Sequence, residues 1–279
     1  MKFQTFIAFS IFSIATFTSC KNEEKKDGNI VPTETTAPKL KEETVSYTVD
    51  SLKMNSYIVY DENKQGLRPA ILVVHEWWGL NDYAKRRARM LAELGYTAMA
   101  VDMYGNGKMG NDPQQAQALA MPFYYHPDMA KKHFDAALEH LKMNSSVDTT
   151  QIGAMGYCFG GAVVIGAARL GEDLKGVVSF HGNLNVVPAR KDLLKAEMLI
   201  CHGDSDTYVS PAEVAQFKKQ MDSIGAKYTF KHYANATHAF TNPDATANGE
   251  KFKMNIKYNA AADTASWNDM KEFWRKIFH

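Results

Sequence analysis

The sequence Gly156-Tyr157-Cys158-Phe159-Gly160-Gly161 joins an apolar segment, residues 151–157, to a segment of small residues, 160–170. The first segment has the length and composition of a buried strand and the second those of a helix, which predicts a strand that turns directly into a helix. Glycine at positions 156 and 160 lets the backbone turn where a Cβ atom would collide, and such a turn exposes the central side chain. The stretch therefore predicts that the thiol of Cys158 is held in the open at a corner of the fold.

Strand-like and helix-like segments alternate on both sides of this turn. Two short β-rich segments, 45–49 and 56–60, come first and predict a leading antiparallel pair. Further strands are predicted at 70–74, 96–101, 151–157, 176–180, 197–201 and 228–233, and helices at 83–94, 128–141, 160–170, 211–224 and 266–278. This alternation predicts an α/β fold of three layers with a mostly parallel central sheet.

Four reactive side chains follow predicted strands within a few positions: Glu76, Cys158, Asp206 and His238. Because the sites of parallel α/β sheets form at the carboxyl ends of the strands, we expect these four residues to meet. A thiol nucleophile needs a base and a group that orients the base, and after a turn of this type the chain order is nucleophile, acid, histidine. His238 fits the base in that order, and both Asp204 and Asp206 fit the acid.

The main chain near the turn supplies a second component of the predicted site. The N–H of Phe159 is placed to bind an oxyanion, and the N–H of Trp77 can supply a second donor. Trp77 and Trp78 are expected to wall an apolar pocket. In the alternative interpretation the glycine-rich turn binds a phosphate, or Cys158 is a small core residue. No lysine follows these glycines as a P-loop requires, which favours the nucleophile.

The composition excludes several classes of protein. The chain of 279 residues carries 32 basic and 31 acidic side chains, which gives a net charge of +1. It lacks the basic excess of nucleic-acid-binding proteins, so no nucleic-acid partner is predicted. Its three cysteines form neither an even disulfide framework nor a Cys-x-x-Cys pair, which argues against a zinc or redox site. We predict no metal and no other cofactor.

The N-terminus, residues 1–19, has the features of an export signal. Lys2 precedes an apolar segment too short to span a bilayer, and the small residue Ser19 stands before Cys20. This arrangement resembles a bacterial lipoprotein signal, in which the cysteine is diacylated and becomes the new N-terminus; plain secretion with cleavage near Cys20 is the alternative. Residues 20–44 are polar and lack aromatic side chains, which predicts a flexible tether to a membrane. The folded domain is predicted to comprise residues 45–279.

Over residues 45–279 the chain resembles the dienelactone hydrolase family of α/β-hydrolases. The resemblance rests on the turn at 156–161 and on the segments His-Glu-Trp-Trp-Gly-Leu (75–80), Ala-Val-Asp-Met-Tyr (100–104), His-Gly-Asp-Ser-Asp (202–206) and His-Ala-Phe-Thr-Asn-Pro (238–243). It implies an α/β-hydrolase fold and the hydrolysis of a small-molecule ester or lactone through an acyl-enzyme. The site roles that it implies are Cys158, His238 and Asp206 as a triad, Glu76 as the carboxylate that controls the ionisation of the thiol, and the amides of Phe159 and Trp77 as an oxyanion hole.

Two departures from the family pattern concern the substrate. Members that cleave dienelactone bind its carboxylate with two arginines, and the corresponding places here hold Asn106 and Asn242. Recognition is therefore expected to rely on apolar contacts, from Trp77, Trp78, Phe123 and Tyr124. Two other functions stay open: a surface lipoprotein that keeps the fold with little or no catalysis, and a hydrolase of amide or thioester bonds.

Overall fold

The computed structural model describes residues 1–2 and 37–278. The strands are β1 (Leu40–Val49), β2 (Leu52–Asp61), β3 (Arg68–Val74), β4 (Thr97–Val101), β5 (Val147–Tyr157), β6 (Gly176–Phe180), β7 (Glu197–Gly203) and β8 (Tyr228–Tyr233). The helices are α1 (Asp82–Glu93), α2 (Pro113–Tyr125), α3 (Pro127–Lys142), α4 (Phe159–Arg169), α5 (Pro211–Ser223), α6 (Ala245–Phe252) and α7 (Ala260–Ile277).

The strands form one sheet in the order β1-β2-β4-β3-β5-β6-β7-β8. The pairs β1–β2 and β2–β4 are antiparallel, and the pairs from β4 through β8 are parallel. Val74 at the end of β3 is in register with Gly156 of β5, and Tyr157 is in register with Phe180 of β6. The residues that follow these central strands therefore leave the sheet at one edge, as the sequence predicted for parallel strands.

Helices cover both faces of the sheet and form two core layers. Leu72 and Val74 of β3 pack in the layer that contains side chains of α2, α3, α4 and α5, whereas Ile71 and Val73 pack in the layer formed with α1 and α7. Burial on both faces explains why the central strands are apolar throughout rather than alternating. The predicted three-layer α/β fold with a mostly parallel sheet is confirmed.

The start of β1 and two helices differ from the prediction. Residues 40–44, which the sequence assigned to the tether, form the first half of β1, and Leu40 is in register with Asp61. The polar side chains of this segment belong to an edge strand, where one face meets water. The helices α2 and α6 were not predicted, because each has few buried residues and thus a weak amphipathic pattern. The N-terminal capping residue of α2, Asp112, accepts a hydrogen bond from the N–H of Gln115, and this was the signal in the sequence.

The proposed export signal, Cys20 and most of the proposed tether lie outside the described residues. Within residues 1–2 and 37–278 the structure contains no helix with the length and apolarity needed to cross a bilayer.

Two glycines of α4 provide a test of the sharp turn. A Cβ atom at Gly160 would collide with the main-chain carbonyl of Val74, which cannot move without disrupting β3, whereas the nearest atom to a Cβ at Gly166 is Cγ2 of Val186 at 3.6 Å. We expect Gly160→Ala to lower the free energy of unfolding by about 3 kcal/mol or more. Gly166→Ala is expected to raise it by up to about 1 kcal/mol through helix propensity. Urea unfolding of both variants measures the difference, and equal effects would contradict the tight turn.

Candidate active site

The backbone of Cys158 is left-handed, with φ 53° and ψ −114°, at the residue that precedes α4. A residue with a Cβ atom adopts this conformation at a cost of about 1–3 kcal/mol and keeps it only where its surroundings impose it. Here they do, because β5 and α4 approach so closely that a Cβ at Gly156 would overlap the main chain of Gly160. The thiol is consequently pushed out of the turn and lines a cavity. The glycine pattern predicted a thiol held in the open at this corner of the fold, and the structure leaves Cys158 half-buried at the cavity.

The imidazole of His181 contacts the same turn from the end of β6. The N–H of Cys158 donates to the carbonyl oxygen of Phe180 at 2.9 Å and also approaches Nδ1 of His181 at 3.2 Å. Burial, together with the positive charges of His238 and Arg87, lowers the pKa of His181 well below its usual value, so its ring is neutral and Nδ1 can accept. The other ring nitrogen, Nε2, is 2.8 Å from the hydroxyl of Thr241, three residues after His238.

His238 and Asp206 form a buried pair, with Nδ1 of the ring 2.8 Å from Oδ2 of the carboxylate. Asp206 also accepts hydrogen bonds from the N–H groups of Tyr208 and Val209. Burial favours its neutral form, but the bonds from His238 and from the two amides outweigh burial and lower its pKa. Asp204 lies elsewhere and contacts the exposed ring of His232 at 2.9 Å. The geometry thus associates Asp206, and not Asp204, with His238.

The pKa of His238 is raised well above its ordinary value. Burial opposes the charged ring, but the hydrogen bonds and negative charges of Cys158 and Asp206 more than compensate. His238 is therefore disposed to be an imidazolium between the two groups. A cation in this position stabilises a thiolate, which is the nucleophilic form of cysteine.

Glu76 lies just beyond β3 and is almost completely buried. Its Oε2 accepts a hydrogen bond of 2.6 Å from Nδ2 of Asn242. Burial raises the pKa of Glu76 to about 7, because the amide of Asn242 and the charges of His238 and Arg87 offset only part of the desolvation. A carboxyl with this pKa changes its protonation near neutral pH, in the cavity that the thiol also lines.

The four side chains predicted to meet do so at one cavity of about 470 Å³: Glu76, Cys158 and His238 line it, and Asp206 is bonded to His238. Apolar walls come from Trp77 and Trp78, from Met121 and Tyr124 of α2, and from Phe252, Met254 and Ile256 in and after α6. None of the described residues that line this cavity is a lysine or an arginine. The cavity therefore suits an uncharged, largely apolar group.

The structure places two predicted pocket residues outside the cavity lining. Phe123 packs edge-on against the ring of Phe159, behind the wall. Asn106 is exposed in a left-handed turn, and its N–H donates to the carbonyl of Lys53. Trp78, Tyr124 and Asn242 line the cavity. Apart from Tyr124, the contributions of α2 and α6 were not predicted, since those helices were not predicted.

The main-chain N–H groups of Phe159 and Trp77 are the two donors that the sequence predicted for the site. Phe159 is the first residue of α4 and Trp77 follows Glu76, and neither N–H donates to an acceptor among the described residues. Donors at a helix start are suited to the negative charge of a carbonyl oxygen under attack. Residues 37–278 contain no cluster of three metal-binding side chains. The arrangement offers a thiol, a buried imidazole–carboxylate pair, a titrating carboxyl and amide donors.

The comparisons with known proteins agree on the family. The family model described as "Dienelactone hydrolase family" matches residues 54–278. A solved structure of a dienelactone hydrolase-like promiscuous phosphotriesterase from metagenomic libraries is 31% identical with a TM-score of 0.81, over 86% of this chain and 99% of that one. A putative carboxymethylenebutenolidase of Aquifex aeolicus is 27% identical over 71% of this chain and 86% of its own length. A probable 2-oxo-3-(5-oxofuran-2-ylidene)propanoate lactonase of a Bradyrhizobium species is 28% identical over 73% and 82%. This chain belongs to the dienelactone hydrolase family.

Proposed function

We propose that the protein hydrolyses esters or lactones whose acyl portion carries no charged group, through an acyl-enzyme on Cys158. The observation that carries the proposal is the common cavity of Cys158 and His238, with His238 bonded to Asp206 at 2.8 Å. The order of these residues along the chain and their positions after β5, β7 and β8 agree with a nucleophile, an acid and a base.

In the acylation step the Cys158 thiolate attacks the substrate carbonyl carbon. The carbonyl oxygen becomes an oxyanion that accepts hydrogen bonds from the N–H groups of Phe159 and Trp77. When the tetrahedral intermediate collapses, the carbon–oxygen bond to the alcohol breaks, and the leaving alkoxide takes the proton from the His238 imidazolium. Asp206 holds Nδ1 throughout, so that Nε2 is the nitrogen that exchanges the proton.

Deacylation returns the thiol to its starting state. The neutral ring of His238 removes a proton from water, the hydroxide attacks the thioester carbon, and the same N–H groups bind the second oxyanion. The carbon–sulfur bond then breaks, which releases the carboxylic acid and regenerates the thiolate beside the imidazolium.

Glu76 is proposed to control the ionisation of the thiol. Its carboxylate charge in the shared cavity favours the imidazolium of His238 and disfavours a second anion on Cys158. Because burial raises the pKa of Glu76 to about 7, its state changes near neutral pH.

The uncharged acyl group follows from the composition of the cavity. The described lining residues include no lysine or arginine, and the imidazolium of His238 is already paired with Asp206, so a substrate carboxylate buried there would lack a free cationic partner, which is costly. Asn242 donates to Glu76 and carries no charge with which to attract a substrate carboxylate.

We also propose that the protein is exported and anchored to a membrane through a lipid on Cys20, on the periplasmic or cell-surface side. The support is the sequence pattern of residues 1–20, in which a short apolar segment ends at a small residue before the cysteine. The 235 or so residues of the proposed enzyme would then act on substrates outside the cytoplasm, at a distance from the membrane set by the tether.

The proposed chemistry predicts a steep loss of esterase activity in variants of Cys158 and Asp206. Cys158→Ala is expected to lower kcat/KM for p-nitrophenyl butyrate by about 1,000-fold or more, and Cys158→Ser to retain only a small residue of activity, because a hydroxyl is not ionised as the thiol is. Asp206→Asn is expected to lower kcat/KM about 100-fold or more, because the imidazolium loses its charged partner.

The wild-type protein is expected to hydrolyse p-nitrophenyl hemisuccinate about 10-fold or more slowly than p-nitrophenyl butyrate, because the hemisuccinate presents a carboxylate to the cavity.

The matched control for the acid is Asp204→Asn, which makes the same change two residues away and removes only the exposed contact to His232. It is expected to leave kcat/KM within about 2-fold. Equal activity of the wild-type and Cys158→Ala proteins would refute the catalytic proposal, and a larger loss in Asp204→Asn than in Asp206→Asn would refute the choice of acid.

Glu76 makes the stability of the protein depend on pH. Its pKa is raised from 4.5 to about 7 in the folded state, so between these values the folded state holds more protons than the unfolded state. The resulting stabilisation of the fold is complete below pH 4.5 and is lost as pH rises through about 7. Glu76→Gln keeps an acceptor for Asn242 but does not titrate. The free energy of unfolding of Glu76→Gln minus that of wild type is expected to be about 2 kcal/mol larger at pH 8 than at pH 5, as measured by urea unfolding.

The control is Glu272→Gln, which changes an exposed glutamate of α7 and is expected to have the same effect at both pH values. A difference between wild type and Glu76→Gln that does not vary with pH would show that Glu76 is not a buried carboxyl with a raised pKa.

The lipid anchor is tested by intact mass. Membrane-bound protein from cells is expected to carry a diacylglycerol-type mass increase at Cys20, which Cys20→Ala abolishes and Ser19→Ala, retaining a small residue before the cysteine, preserves. A protein that is cleaved near Cys20 without added mass would support plain secretion instead.

A further inference from the structure

A second, more open groove of about 600 Å³ adjoins the cavity of the thiol. The two share three lining residues, Met121, Tyr124 and Asn183. The groove extends from these residues to the loop after β6 and to the first turns of α5, where Glu213 and Gln216 form its far side. A substrate held at Cys158 thus has space for a second portion beside the first.

The chemistry of the groove differs from that of the cavity. Amide, hydroxyl and carboxylate side chains provide five of its nine lining residues: Asn183, Asn185, Ser210, Glu213 and Gln216. The other four are Met121, Tyr124, Val186 and Ala212, and among these described residues there is no lysine or arginine. The groove therefore combines hydrogen-bonding groups with an apolar wall and offers no cation to an anionic ligand.

Internal bonds hold the polar side chains of the groove and leave part of each one free. Asn183 accepts from the hydroxyl of Tyr124 at 3.2 Å, and Glu213 accepts from the N–H of Leu184 at 2.6 Å through Oε1. Gln216 accepts from Nδ2 of Asn185 at 3.2 Å. Within the described residues Nδ2 of Asn183, Oε2 of Glu213 and Nε2 of Gln216 make no further hydrogen bond. These three side chains thus present two donor groups and one acceptor to the groove and are already positioned by their other bonds.

Tyr124 connects the groove with the nucleophile. Burial raises the pKa of its hydroxyl well above the usual value, and the negative charges of Cys158 and Glu213 raise it further. One side chain is therefore within electrostatic reach of both the thiol and the carboxylate of the groove. The alcohol portion of an ester whose carbonyl lies at Cys158 can reach the groove past this ring.

We propose that the groove binds the alcohol portion of the substrate and that this portion is a sugar or a similar polyol. The inference rests on the proposed ester hydrolysis and specifies its substrate class. Hydroxyl groups both donate and accept, so they can pair with Asn183, Glu213 and Gln216, while the C–H face of a sugar ring packs on Tyr124 and Val186. During acylation the sugar oxygen leaves with the proton of His238, and the acyl group stays on the sulfur of Cys158 in the apolar cavity.

The test compares two esters of the same acid. Methyl 6-O-butanoyl-glucoside and cyclohexylmethyl butanoate have the same acyl group and a six-membered ring, but only the first has hydroxyl groups. The wild-type protein is expected to show a kcat/KM about 10-fold higher for the glucoside ester, the equivalent of one or two net hydrogen bonds. Gln216→Leu is expected to lower this ratio about 3-fold to 10-fold.

The matched control is Gln114→Leu, the same change on an exposed residue of α2 that lines neither the cavity nor the groove. It is expected to leave both rates unchanged. Equal rates on the two esters, or equal ratios in wild type and Gln216→Leu, would overturn the sugar site and leave the proposed hydrolysis standing. A preference for butanoylcholine over both esters would assign the groove to a cation beside Glu213 and also overturn it. Failure to hydrolyse either ester would contradict the proposed function itself, and the groove proposal with it.

Discussion

The left-handed backbone of Cys158 is the constraint on which the site depends. A cysteine adopts such a conformation only where the surrounding chain leaves it no alternative, and here β5 and α4 approach so closely that glycine is required at positions 156 and 160. His181 extends this constraint to the rest of the site. One of its ring nitrogens faces the N–H of Cys158 and the other the hydroxyl of Thr241, so the nucleophile turn and the loop that carries His238 are joined through one neutral ring.

Much of this arrangement could be predicted from the sequence, because parallel strands bring residues at their carboxyl ends together wherever those residues stand in the chain. That rule was enough to group Glu76, Cys158 and His238. The choice between Asp204 and Asp206 needed the three-dimensional structure. The two residues are only two positions apart, yet the carboxylate of Asp206 is bonded to His238 and that of Asp204 to the exposed ring of His232. The residues themselves allowed both; only the family resemblance favoured Asp206.

The walls of the cavity were less predictable than its centre. Tyr124 was named from its aromatic character, whereas the helix that carries it, α2, was missed because small and polar residues dominate its sequence. Phe123 has the same character as its neighbour but packs behind the wall on Phe159, because adjacent positions of a helix face different directions. The orientation of the helix decides which of two neighbouring aromatic residues faces the cavity, and this orientation is set by tertiary packing.

The lack of lysine and arginine among the described lining residues of the cavity bears on how a ligand arrives as well as on how it is held. A cleft lined by one sign of charge attracts oppositely charged ligands from a distance, and dissolved salt weakens that attraction. Asn242 is uncharged, and the described lining of the cavity contains no lysine or arginine. Without such residues the cavity gives an anionic ligand little electrostatic attraction from a distance. For the proposed hydrolase, the rate of substrate encounter should therefore vary little with the ionic strength of the surrounding water.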